Sequence, residues 1–133
     1  MITLINPPGL KTFSGLNMNT PAPPISLAYI AGTLKEAGID FRVIDAAGEA
    51  LDQIQPYEKR NDFMAQGLLP VEVVERIPTE TSIVGVTCTF SSYWPIVRII
   101  GDLIRERFPT ALLVLGGEHG TALPEHSLER RFP

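Results

Sequence analysis

Residues 82–87 read SIVGVT, a short run that is apolar throughout, as expected of a β-strand covered on both faces. A polar loop with one aromatic side chain follows at 89–92, and residues 93–108 then carry apolar side chains at helical spacing. A second apolar run, ALLVL at 111–115, is closed by a glycine pair and again predicts a strand covered on both faces. This order of strand, helix and strand predicts that the two strands pair in parallel within one sheet.

The same alternation extends toward the N-terminus. Residues 2–6 (ITLIN) and 41–45 (FRVID) are short and apolar, which predicts two further strands. Between them, residues 25–37 predict a helix that stops at Gly38, a residue suited to the left-handed end of a helix. The apolar stripe of this helix consists of Leu27, Ile30, Ala31 and Leu34.

The remaining segments connect these elements. The first strand is stopped by prolines and a glycine, and a long loop is expected from there to Pro24. Residues 49–70 are polar and irregular, which predicts a surface insertion with one or two short helices. Residues 71–77 predict a short helix, and a last helix is expected at 124–131.

The order of these elements predicts an α/β fold with a doubly wound parallel sheet of the flavodoxin-like, or Rossmann-like, kind. The expected strand order is 2-1-3-4, numbered along the chain. A fifth strand would follow the last helix in such a fold. We therefore expect residues 1–133 to be a single domain that forms the N-terminal piece of a longer protein.

Composition excludes several functions. With 44% apolar and 20% charged residues, the chain has enough apolar surface for a folded core. The net charge of −4 argues against nucleic acid as a partner. No apolar run approaches the ~20 residues that a membrane span needs, and the start lacks the basic region of a signal peptide. The cytoplasm is therefore the expected compartment.

The single cysteine, Cys88, excludes an internal disulfide, a four-thiolate zinc site and a cysteine-ligated iron–sulfur cluster within this chain. As a nucleophile it would need a neighbouring base, and none is evident, so a small buried residue is the simpler interpretation. The two histidines, His119 and His126, lie on different local elements without a third ligand. We predict neither a catalytic residue nor a metal ligand.

In open parallel sheets, ligands bind beyond the carboxyl ends of the strands, where the strand order reverses. The loops expected at this edge hold most of the small and polar residues of the chain. No phosphate-cradling G-x-x-x-x-G-K-[ST], no dinucleotide-binding G-x-G-x-x-G and no G-x-S-x-G elbow occurs. The glycine pair favours close approach of a bulky ligand, with a tight turn as the alternative. The candidate cofactor-binding residues are Asn6, Pro7, Pro8, Gly9, Asp45, Thr87, Cys88, Thr89, Phe90, Ser91, Tyr93, Gly116, Gly117, Glu118 and His119.

Three motifs in order carry a resemblance to a known family. N-P-P follows the first strand, PISLAYIAGTLKEAG occupies 24–38, and LGGEH occupies 115–119. Together with Asp45 at the end of the second strand, they resemble the N-terminal cobalamin-binding domain of cobalamin-dependent radical S-adenosylmethionine enzymes. The chain departs from the wider class in two places. Thr87-Cys88-Thr89 stands where S-x-L is usual, and the D-x-H-x-x-G motif that supplies an axial histidine is absent.

The resemblance implies that the chain binds cobalamin. Its nucleotide tail would lie near Thr87, Thr89 and the glycine pair, and its corrin ring would rest on the loops at 6–9 and 90–93. The resemblance also implies a downstream barrel in the same chain, with S-adenosylmethionine and a 4Fe–4S cluster on a C-x-x-x-C-x-x-C motif. That barrel would act on a small-molecule substrate by methyl transfer or by oxidative cyclisation, so this domain alone would not be an enzyme.

Two other functions remain open at this point. The altered S-x-L motif and the missing histidine fit a docking or substrate-gating module without cobalamin. The fold alone also fits a flavodoxin-like domain that binds flavin or a nucleotide.

Overall fold

The computed structural model describes residues 1–12, 21–57 and 60–129. The strands are β1 (Ile2–Asn6), β2 (Gly9–Thr12), β3 (Phe41–Asp45), β4 (Ile54–Tyr57), β5 (Arg60–Gln66), β6 (Ile83–Thr87) and β7 (Leu112–Gly116). The helices are α1 (Ile25–Glu36), α2 (Pro70–Glu75), α3 (Trp94–Arg107), α4 (Glu118–Ala122) and α5 (Pro124–Glu129). Short 3-10 turns occupy Gly48–Ala50 and Ser91–Tyr93.

A four-stranded parallel sheet forms the centre, in the order β3-β1-β6-β7. This confirms the predicted α/β class and the 2-1-3-4 strand order. The order reverses between β1 and β6, so the predicted ligand edge lies at the carboxyl ends of these two strands. None of the helices in the described residues is long and apolar enough to cross a membrane.

One face of the parallel sheet carries the hydrophobic core. Helices α2 and α3 pack against each other over this face, and the sheet side chains beneath them include Ile5, Val84 and Val86. Helix α3 contributes Ile96 and Ile100, both without exposed surface. Burial of these branched side chains at about 1.5–3 kcal/mol each is the main stabilisation of the fold.

The opposite face is only half covered. Helix α1 packs over β3 and buries Leu27, whereas Ile30 on its predicted stripe is 47% exposed. Leu112 and Val114 of β7 are 60% and 45% exposed on this face. The prediction that the fourth strand of the sheet is covered on both faces is therefore wrong for the described structure. Its apolar side chains instead border an open groove.

A second, antiparallel sheet in the order β2-β5-β4 corrects two predictions. Residues 9–12, expected within a loop, form a strand. The predicted insertion at 49–70 contains a β-hairpin rather than short helices. Pro56 lies in β4, which is an edge strand of this sheet. Proline has no amide proton to donate, and an edge strand tolerates it because one side of the strand has no neighbouring strand to accept a hydrogen bond. Most of the loop predicted before Pro24 (residues 13–20) and the end of the helix predicted at 124–131 (residues 130 and 131) lie outside the described residues.

Candidate functional site

The carboxyl ends of β1 and β6 open onto a cavity of about 410 Å³ beside the first turn of α1, which we call the edge cavity. Parallel pairing places Asn6 opposite Asp45 and Thr87 opposite Gly116, so the loops that follow these residues share one edge. The edge cavity is lined by Asn6, Pro7, Gly9, Pro21, Ala22, Pro24, Ile25, Ser26, Ala47, Thr87, Thr89, Phe90 and Tyr93.

A second cavity, of about 450 Å³, lies on the half-covered face of the sheet beside α1, and we call it the face groove. Ser26, Thr87 and Thr89 line both cavities, so the edge cavity and the face groove adjoin at these residues. The other residues of the face groove are Ile2, Leu4, Leu27, Ile30, Ile83, Gly85, Val86, Val114, Gly116, Gly117 and Glu118.

Two glycines leave the floor of the face groove without side chains at their positions. A Cβ added to Gly116 would meet no atom nearer than the Val86 carbonyl oxygen at 3.9 Å. A Cβ added to Gly85 would meet the tip of Leu4 at 3.2 Å. Because Gly116 pairs with Thr87 across β6 and β7, a strip of small residues crosses the sheet at the point where the two cavities join. A flat ligand group can therefore approach the backbone closely.

Gly117 has a different role from its neighbour. Its φ is +92° and its ψ is 176°, a conformation that is essentially restricted to glycine. A Cβ at this position would lie 2.6 Å from the Cys88 carbonyl oxygen. The tight turn allows the Cys88 amide to donate to the Gly116 carbonyl at 2.8 Å and the His119 amide to donate to the Cys88 carbonyl at 3.1 Å. The interpretation of the glycine pair as a tight turn is therefore confirmed for Gly117, and close approach of a ligand at Gly116 stays a prediction.

Asn6 and Asp45 join the ends of β1 and β3. The Asn6 side-chain amide donates to Asp45 Oδ1 at 2.8 Å, and the Gly48 amide donates to the same oxygen at 3.1 Å. The Asp45 carboxylate therefore fixes the turn after β3 and does not line either cavity.

Cys88 lies at the base of this edge with no exposed surface. Burial raises the pKa of its thiol to about 11, which leaves it protonated and unreactive at neutral pH. Its interpretation as a small buried residue is confirmed. Within the described residues, no group of three or more His, Cys, Asp or Glu side chains is arranged to hold a metal ion.

His119 lies in an aromatic cluster behind the edge. Its Nδ1 is 2.9 Å from Ser91 Oγ, its ring stacks on Trp94 with centroids 4.7 Å apart, and His126 meets it edge-on at 6.1 Å. The side chain is 3% exposed, and its Nε2 has no hydrogen-bond partner among the described residues. Burial, with a smaller contribution from His126, lowers the pKa of His119. The ring is therefore neutral at neutral pH.

The structure brings together ten of the predicted cofactor-binding residues around the two cavities. In the edge cavity they include Asn6, Phe90 and Tyr93, and in the face groove Gly116 and Glu118. The predicted residues that line neither cavity are Pro8, Asp45, Cys88, Ser91 and His119.

Sequence reasoning missed other lining residues. Gly85 carried a usable signal, since a glycine inside an apolar strand often marks close approach of a ligand. Ser26 and Ile25 lie in the first turn of α1, and Ala47 follows β3. No local pattern marks Ser26 and Ile25, because their position at the cavity depends on how α1 packs on the sheet. Ala47 belongs to the loop after the second predicted strand, which was expected at this edge but was not chosen as a site residue.

Comparison with known proteins agrees with this geometry. A family described as the B12 binding domain matches residues 13–133. Cytidylyl-2-hydroxyethylphosphonate methyltransferase of Streptomyces wedmorensis is 26% identical to this chain over 107 residues. The aligned region is 80% of this chain and 20% of that enzyme, so the chain spans about a fifth of the length of this relative. No solved structure matches the chain.

The family match covers every residue that lines the two cavities except Ile2, Leu4, Asn6, Pro7 and Gly9. It confirms the cobalamin-binding part of the resemblance drawn from the sequence motifs. The chain belongs to the B12-binding domain family.

Proposed function

We propose that the chain binds cobalamin across both cavities, as the cofactor-binding module of a larger enzyme. The observation that carries this proposal is that the edge cavity and the face groove adjoin, with Ser26, Thr87 and Thr89 lining both. Cobalamin has a broad ring and a long nucleotide tail. Two adjoining cavities of about 410 and 450 Å³ suit such a two-part ligand better than they suit a compact flavin or nucleotide.

The residues of both cavities fit this ligand. The corrin ring would rest against the edge near Asn6, Phe90 and Tyr93. The tail would enter the face groove over Gly116 and Gly85, which have no side chains. A Cβ at either glycine would take up space in the groove. The hydroxyl groups at the junction are suited to hydrogen bonds with the polar tail.

The described residues that line the two cavities include no histidine, so none of them offers an imidazole to cobalt. His119 lies outside both linings, with its Nδ1 engaged by Ser91. In this proposal, the protein holds cobalamin by shape and by contacts to its periphery. When bound, cobalamin supplies a cobalt centre able to carry a methyl group.

The activity of the full-length protein is a further part of the proposal. The S. wedmorensis relative is named as a methyltransferase, which favours methyl transfer over oxidative cyclisation. The order of the N-P-P, α1 and LGGEH motifs supports a radical S-adenosylmethionine barrel downstream in the same chain. That barrel would hold S-adenosylmethionine and the 4Fe–4S cluster and would bind the small-molecule substrate.

Titration of the chain with hydroxocobalamin, followed by its visible spectrum, tests the proposal. We expect saturable binding by the wild type. We expect Gly116→Val to weaken it at least about tenfold, because the added side chain fills the groove floor. Gly32→Ala is the matched control: Gly32 is exposed on α1, lines neither cavity and has no atom within 4 Å of an added Cβ.

The other functions predict different results. A docking or gating module would bind no cobalamin, and a flavodoxin-like binder would take up flavin mononucleotide in the same titration. Either result, or equal affinities for Gly116→Val and Gly32→Ala, would refute the proposal.

A further inference from the structure

His119 connects three segments behind the edge cavity. Its amide donates to the Cys88 carbonyl at 3.1 Å, and its own carbonyl accepts from the Leu123 amide at 2.9 Å. Its ring bonds Ser91 and stacks on Trp94. The turn after β7, the segment after β6 and the start of α3 therefore meet at a single side chain.

The hydrogen bonding of the ring has one favourable arrangement. At Nε2, a buried N–H without an acceptor would lose the full energy of a hydrogen bond to water, whereas an unpaired lone pair costs less. The favoured neutral tautomer thus carries its proton on Nδ1 and donates it to Ser91 Oγ. The aromatic contact with Trp94 holds the ring plane in the orientation that this bond needs.

Ser91 is the first residue of the 3-10 turn that forms the rim of the edge cavity. The turn is closed by the Tyr93 amide, which donates to the Phe90 carbonyl at 3.0 Å. Phe90 and Tyr93 line the cavity, and their rings lie 6.2 Å apart. Phe90 is 53% exposed, so little packing fixes its position from outside.

We propose that His119 is a positioning residue for this rim: through Ser91 it holds Phe90 and Tyr93 in place for the ligand of the edge cavity. The inference rests on the proposed function for the identity of that ligand. Other constraints on the rim act at its two ends, where Tyr93 packs against the hydrophobic core and the Cys88 thiol donates to the Phe90 carbonyl at 3.5 Å. Ser91 and Ser92, which lie between these ends, are exposed. The hydrogen bond from the buried His119 ring, which stacks on Trp94, anchors this turn to the core.

The consequence is preorganisation. A rim that is already ordered before binding loses less conformational entropy when the ligand arrives. Loss of one hydrogen bond of this kind should weaken binding roughly three- to tenfold. The side chains that contact the ligand would be unchanged.

Ser91→Ala removes the bond and leaves His119 and Trp94 themselves unaltered, and Ser91→Thr retains a hydroxyl group at the same position. Ser92→Ala is the matched control, because Ser92 is exposed in the same turn and no side-chain hydrogen bond is seen for it in the described structure. Two measurements on the full chain are compared: hydrogen exchange of the amides at 89–93 without ligand, and the Kd for hydroxocobalamin.

We expect faster exchange and a roughly three- to tenfold higher Kd for Ser91→Ala, with Ser91→Thr close to wild type and Ser92→Ala unchanged. Fluorescence of Trp94, the one tryptophan of the chain, should stay the same in Ser91→Ala, because the stack on His119 is intact. A general loss of structure would change all of these signals together.

Equal exchange rates in Ser91→Ala and Ser92→Ala would overturn the inference whether or not cobalamin binds. Faster exchange with an unchanged Kd would overturn the link between the rim and the ligand. Absence of cobalamin binding by the wild type would refute the proposed function, and the exchange measurement would still decide whether His119 holds the rim.

Discussion

Replacement of Gly117 by alanine should destabilise the fold far more than the same change at Gly116. The backbone of Gly117 has φ +92° and ψ 176°, which costs a residue with a side chain about 1–3 kcal/mol. The new Cβ would also lie 2.6 Å from the Cys88 carbonyl oxygen and 2.7 Å from its carbon. Both are backbone atoms of a buried residue, so the chain must shift, at a further cost of about 1–3 kcal/mol.

The free energy of unfolding should therefore fall by about 3 kcal/mol or more in Gly117→Ala. In a domain of this size, about 1 kcal/mol lowers Tm by roughly 4 °C, so Tm should fall by roughly 10 °C or more. Gly116→Ala should stay within about 0.5 kcal/mol of wild type, because its Cβ would have 3.9 Å of clearance. Urea unfolding followed by circular dichroism measures both variants. Equal stabilities would refute the assignment of separate roles to the two glycines.

Three further predictions concern titratable groups. Hydrogen bonds from the Leu69 amide and the Gln53 side chain lower the pKa of Glu72 in the folded state. The contribution of Glu72 to stability should therefore be present above pH 4.5, the ordinary pKa, and should be lost as the pH falls through the lower folded-state pKa. The pKa of His119 is also lowered, so the unfolded state takes up the proton first, and stability should decline as the pH falls below about 6.5. The Cys88 thiol, with its pKa raised to about 11, should react with iodoacetamide slowly in the native protein and rapidly in denaturant.

Each of these predictions has a matched comparison. Glu72→Gln should flatten the acid limb of the stability profile, whereas Glu75→Gln, exposed on the same helix, should not. His119→Gln should remove the decline that begins near pH 6.5. Unchanged profiles in Glu72→Gln and His119→Gln would contradict the hydrogen-bond and burial causes given for the two shifts. Fast alkylation of native Cys88 would contradict its burial.

The parallel sheet could be predicted from the sequence because its signals are local. Each strand is a short apolar run, each connecting helix has its own periodicity, and right-handed connections restrict the order of the strands. The observed order β3-β1-β6-β7 follows from these rules.

The second sheet could not be predicted in this way. Strand β2 exists because Gly9 pairs with Gln66 and Lys11 with Met64, residues more than fifty positions apart. Neither partner has an alternating pattern of apolar and polar residues, so the strands depend on tertiary pairing rather than on local preference. The open face of β7 could not be predicted either, because an apolar strand sequence does not show which of its two faces is covered.

The candidate site was predictable where the carboxyl ends of strands line its cavities, and it was not predictable where α1 lines them. Rules for parallel sheets locate the carboxyl ends of strands, and so Asn6, Thr87 and Gly116 were found from the sequence. The contribution of α1 was missed, since Ser26 reaches the junction only through the packing of a helix. The separate roles of the two glycines depend on their backbone φ angles, which cannot be read from the sequence.

In the proposed binding mode, one ligand occupies both cavities, with its ring at the edge and its tail in the groove. Comparison of hydroxocobalamin with cobinamide, a corrin that lacks the nucleotide tail, tests this directly. We predict that the wild-type chain binds hydroxocobalamin at least about tenfold more tightly than cobinamide, and that Gly116→Val abolishes most of this difference. Equal affinities of the wild type for the two corrins would contradict it.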